Sequence, residues 1–182
     1  MPILANFVAF QLGWFAVALG AANGLPWSGT LIVLAIVAWH LRHAVRPRAE
    51  LVLVLSAAGI GAVYDSALAA LGLVQFPNGM LLPGTAPHWM IALWMLFATT
   101  LNVSLGWLKR SLALAAGFGA VGGPLAYLAG AKLGALALPE PVPAIAALAL
   151  GWAVLTPLLL IVARRYDGFV RANALELETS HA

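Results

Sequence analysis

Charge is almost absent from long stretches of this chain, and that constrains it more than any motif. Residues 1–41 contain no Asp, Glu, Lys or Arg, and residues 51–108 contain only Asp65. Over the whole sequence 63% of residues are apolar and 8% charged, against roughly 25% charged in an average soluble domain. Such a chain cannot cover a water-facing surface, and it is too apolar to stay disordered. A bilayer span needs roughly 20 apolar residues, so the length allows about five to seven with short connections. The expectation is an all-α membrane protein.

Turn residues and charges divide the sequence into spans over 3–22, 27–41, 51–74, 88–108, 111–138 and 143–163. Together they predict a six-helix transmembrane bundle in one domain, residues 1–171, with a flexible cytoplasmic tail at 172–182. The N-terminal run lacks the basic region of a cleaved signal peptide, so Leu19–Gly24 reads as a helix end. Arg42, Arg46 and Arg48 follow span two, Lys109 and Arg110 follow span four, and Arg164, Arg165 and Arg171 follow span six. These segments share one side of an alternating bundle, and only Lys132 lies opposite. The positive-inside rule then makes both termini cytoplasmic. The net charge of +3 therefore reports topology and gives no nucleic-acid face.

Intramembrane polar groups are costly and normally face other helices. Asp65 is the one acid read as lying inside a span, and Tyr64 precedes it. Ala58, Gly61, Ala69 and Gly72 share its helical stripe, a small-residue surface suited to close packing. In span four, His88, Ala92, Met95, Thr99, Asn102 and Gly106 form a second stripe, while Trp89, Trp94 and Trp107 fall mainly elsewhere. An Asp65–His88 contact is conceivable only with tilt or a bridging water. Asn6 and Gln11 in span one, with Asn102, serve either as interhelical hydrogen-bond partners or as ligand contacts. His40 reads as interfacial.

Span five carries Gly119-Ala120-Val121-Gly122-Gly123-Pro124, with a second glycine pair at Gly130 and Gly134. Pro124 marks either a packing kink or a ligand-facing break. Tyr127 and Lys132 follow on the outer side, within reach of the depth of Asp65. The sequence has no zinc-peptidase motif, P-loop or nucleophile elbow, no cysteine, and no clustered histidines. No metal, cofactor or catalytic residue is expected, and an enzyme is disfavoured.

Several phrases together carry a likeness: Asn6-Phe7, Phe10-Gln11 and Gly13-Trp14-Phe15; Asp65-Ser66 and Leu71-Gly72-Leu73; Trp89, Leu93-Trp94 and Phe97 through Asn102, then Ser104-Leu105 and Trp107-Leu108; and Gly122 through Tyr127, Gly130 and Leu133-Gly134-Ala135. Over residues 5–136 the chain resembles a family of small proteobacterial inner-membrane proteins known only as a domain of unknown function. The resemblance implies an inner-membrane location and assigns no activity. Members are often encoded beside enzymes similar to cyclopropane-fatty-acyl-phospholipid synthases and amine-oxidase-like flavoproteins. That context implies an accessory or lipid-handling protein linked to acyl-chain modification. Its expected partners are membrane lipids, lipid-modifying enzymes or further copies of itself. A small proton-coupled transporter using Asp65 and a structural membrane subunit are the alternatives.

Overall fold

A computed structural model describes residues 1–169, so Arg171, His181 and the tail at 172–182 lie outside the described residues. Six α-helices follow one another: α1 (Ile3–Ala22), α2 (Pro26–His43), α3 (Pro47–Ala70), α4 (His88–Leu101), α5 (Leu112–Lys132) and α6 (Pro141–Arg165). A 3-10 turn, Gly106–Arg110, precedes α5. Proline opens α2, α3 and α6 near their first position, where its missing N–H would be unpaired anyway. The described residues form no strand, only an isolated antiparallel bridge between Gln75 and Ala137.

Four helices, α1, α3, α5 and α6, are long and apolar enough to cross a membrane. Their outward faces carry exposed Leu12, Val63, Val121 and Leu150. Apolar surface of this kind on every side is what a bilayer covers and water does not. The chain is a membrane protein.

Neighbours in sequence pair in space: α1 with α2, α3 with α4, and α5 with α6. Helix α4 packs against α1, α2 and α3 and also touches α6, which makes it the centre of the molecule. It has only 14 residues, about 21 Å at 1.5 Å per residue, and most of them are buried. Span four was expected to run as one helix to Leu108. Instead the helix stops at Leu101, and Asn102 to Leu105 form turns. A helix enclosed by protein need not reach across the bilayer to satisfy its backbone.

Two glycines expected on packing stripes have another use. Gly72 and Gly134 lie just beyond α3 and α5 with φ of 70° and 86°, left-handed values that end a helix. The backbone bonds Leu73 N–H to Leu68 O and Ala135 N–H to Gly130 O, both 3.0 Å, complete those ends. Helices α3 and α5 therefore finish at Ala70 and Lys132, short of the expected 74 and 138. The loops that follow are joined by the Gln75–Ala137 bridge, with two backbone hydrogen bonds of 2.9 Å. At the opposite end the described basic segments meet. Arg46 N–H donates to Gly168 O at 3.0 Å, and Lys109 pairs with Asp167 at 2.6 Å.

Candidate functional site

Asp65 is completely buried, and both of its oxygens are used. Oδ2 accepts Trp94 Nε1–H at 2.6 Å, and Oδ1 accepts the Tyr127 hydroxyl. Gly61, one helical turn before Asp65, explains the geometry: a Cβ there would overlap the Trp94 ring. Trp94 in turn stacks on Trp152, centroids 4.6 Å apart and planes within 11°. Gly123 on α5 leaves the space that Trp152 fills, and Gly119 admits Thr156 in the same way. The expected Gly119–Gly123 pair is thus the α5–α6 contact. Tyr64 completes the surround, with its hydroxyl donating to Ala147 O at 3.2 Å. Four helices converge on one carboxylate.

Other expected neighbours of Asp65 are elsewhere. His88 hydrogen-bonds Thr30 at 2.9 Å and stacks on Trp27 at 3.9 Å. Lys132 is exposed at the end of α5. Thr99 donates to Leu96 O at 2.7 Å inside its own helix. The expected stripe assumed one buried face on span four. Because α4 is buried nearly all round, its tryptophan face can turn toward α3. Trp89 is enclosed and donates to Asn78 O at 3.1 Å. Helix α5 runs uninterrupted through buried Pro124, so no helix break occurs there.

Helices α1 and α5 pack on other helices rather than on each other, and a groove of about 470 Å³ opens between them. Phe7, Phe10, Gln11 and Trp14 of α1 form one wall, and Phe118, Gly122, Ala126 and Tyr127 of α5 the other. Trp89, Leu93, Trp94 and Phe97 of α4 and Trp152 and Thr156 of α6 form the floor. More than half of the chain's aromatic residues line it. Phe7, Phe15, Phe118 and Leu125 stay exposed along the groove, which is open on one side. Asp65 does not line the groove. It stands behind the wall and holds two residues that do, Trp94 and Tyr127.

A second buried polar cluster was not anticipated. His40 and Glu50 are both fully buried, with Nε2 and Oε2 2.8 Å apart. Glu50 Oε1 also accepts Asn102 Nδ2–H at 2.5 Å and Gly168 N–H at 2.7 Å. Asp65 is therefore not the only enclosed acid, and His40, beside the basic loop, is enclosed by protein. Asn6 donates to Thr99 O at 3.0 Å and accepts Ser104 Oγ–H at 2.6 Å, tying α1 to the end of α4. The one sequence hint for Glu50 is its place three residues after Pro47, already within the first turn of a helix whose next residues are apolar.

Among the described residues no group of three or more His, Asp or Glu side chains is placed to hold a metal ion. No curated protein matches the chain, and no solved structure does. The model of one protein family, described as a protein of unknown function (DUF2878), matches residues 3–158. That match spans the aromatic groove, Asp65 and the helices that build both, and the chain belongs to this family.

Proposed function

We propose that the protein is a multi-pass inner-membrane protein that holds an apolar molecule, taken sideways from the bilayer, in the groove between α1 and α5. The observation that carries this reading is the groove itself: about 470 Å³, aromatic-lined, open on one side and bordered by exposed apolar residues. Binding cavities for small molecules are typically about 300–1,000 Å³ and mostly apolar. The topology that goes with it is six spans with both termini cytoplasmic, supported by the positions of Lys and Arg. An accessory role in acyl-chain modification fits a groove of this chemistry. Membrane lipids are then the first partners, with lipid-modifying enzymes or a second copy as further ones.

Gly122 provides the test. It lines the groove, and a Cβ placed on it meets nothing nearer than Phe118 at 3.9 Å. Gly122→Leu should fill the cavity without disturbing the helices, and it also improves helix propensity. Wild-type protein purified in mild detergent should retain a bound apolar molecule, detected by mass spectrometry after extraction, that the variant loses. Equal retention by both would overturn the reading. The second reading, a small proton-coupled transporter, draws its support from a carboxylate enclosed within a membrane helix. It requires that Asp65→Asn abolish activity while the protein still accumulates.

A further inference from the structure

Two polar atoms in the groove are not used by the fold. Thr156 is fully buried, and its Oγ1 has no hydrogen-bond partner among the described residues. The same holds for Trp152 Nε1, which lies close to the Tyr127 hydroxyl. Both residues line the groove and stand one helical turn apart on α6, on one face. A threonine in a helix usually satisfies its hydroxyl on the carbonyl one turn earlier. Here it does not, and Gly119 lacks the Cβ that would cover it.

Buried polar groups without partners are rare because each forfeits its bonds to water. Two in one cavity point to an occupant that satisfies them. An indole N–H can only donate, and a hydroxyl can donate as well, so their shared complement is an acceptor oxygen. The surroundings specify the rest of the molecule. Trp94 stacks on Trp152, and Phe97 meets Trp152 edge-on at 5.3 Å, so the body of the occupant must be apolar. Trp152 and Thr156 lie near the middle of α6 (Pro141–Arg165), one of the helices long enough to span. An ester at the membrane surface is therefore too far away, and the oxygen must travel within the apolar part of the molecule.

We infer that the groove receives a chain-bearing apolar molecule carrying a carbonyl oxygen at mid-membrane depth, bound by Trp152 Nε1–H and the Thr156 hydroxyl. This rests on the groove being a ligand site, as proposed above. Such a carbonyl has two sources, the ring of a tailed quinone or an oxo group within an acyl chain.

Native mass spectrometry of the full chain in detergent separates them, using matched pairs of probes in competition. One pair is a mid-chain oxo-octadecanoic acid against octadecanoic acid; the other is a decyl-tailed benzoquinone against decylbenzene. One oxygen-bearing probe should outcompete its plain partner by about tenfold, the worth of one or two buried hydrogen bonds. The winning pair identifies the source. Trp152→Phe with Thr156→Val should reduce that preference to about onefold. Equal binding within both pairs by the wild type, or a preference that survives the double substitution, overturns the inference while leaving the groove as a binding site. Binding of every probe undiminished in Gly122→Leu, or no binding at all, overturns the proposed function with it.

Discussion

Asp65 is a fixed acceptor for two donors, and that role predicts how its substitutions differ. Asp65→Leu leaves Trp94 Nε1–H and the Tyr127 hydroxyl unpaired, which costs about 1–3 kcal/mol for each. Asp65→Asn keeps one oxygen for Trp94, and its amide can donate to Tyr127, so the loss should be nearer about 1 kcal/mol. Unfolding in detergent by denaturant titration distinguishes the two, and a leucine variant as stable as the asparagine variant would contradict the role. Ligand retention should survive in Asp65→Asn. At the other end, Glu50→Ala removes the acceptor for His40, Asn102 and Gly168 together, a loss of about 3–5 kcal/mol by the same measurement. The enclosure of Asp65 by other helices was legible because it is a lone acid in a long apolar run. His40 and Glu50 were not, since each borders a charged loop in the sequence. Their burial depends on the turn at residues 166–169 folding back over them, with the Phe169 ring 5.1 Å from that of His40.

Among the elements, α5 carries the most testable local logic, because adjacent glycines there do opposite things. A Cβ at Gly123 would land on the Trp152 ring, whereas one at Gly122 enters open space. Gly123→Val should therefore separate α5 from α6 at about 1–3 kcal/mol, the usual cost of overpacking, while Gly122→Val should be nearly neutral. Equal thermal midpoints for the two would contradict the packing. Pro124→Ala should keep both fold and ligand, since α5 is already continuous through that position. The existence and order of all six helices were legible from apolar runs and punctuation. The ends of α3, α4 and α5 were not, because apolar turn residues such as Leu71, Val103 and Leu133 look like more helix. Nor could periodicity identify the face of α4 that meets Asp65, since a helix buried on nearly all sides has no single apolar stripe to read.

For the molecule as a whole, the loops divide into a basic end and an end joined by the Gln75–Ala137 bridge. With no native cysteine in the chain, single introduced cysteines report sidedness directly. Arg48→Cys and Arg110→Cys should react with an impermeant maleimide only after the membrane is opened, and Gly24→Cys and Leu81→Cys in intact cells. Any one site reacting from the wrong side would break the six-span topology. The groove itself was invisible in the sequence: its aromatic residues come from four separate helices, and only Gln11 and Tyr127 among the expected polar residues line it. The most direct test therefore compares that groove with ordinary lipid-facing surface. A photoreactive benzophenone attached at Gly122→Cys looks into the groove, and one at Gly59→Cys, exposed on α3, looks outward. Irradiated in native membranes and analysed by mass spectrometry, position 122 should capture a narrow set of apolar molecules, while position 59 captures lipids in bulk proportion. The same capture profile at both positions would mean that the groove holds nothing the bilayer does not already place there.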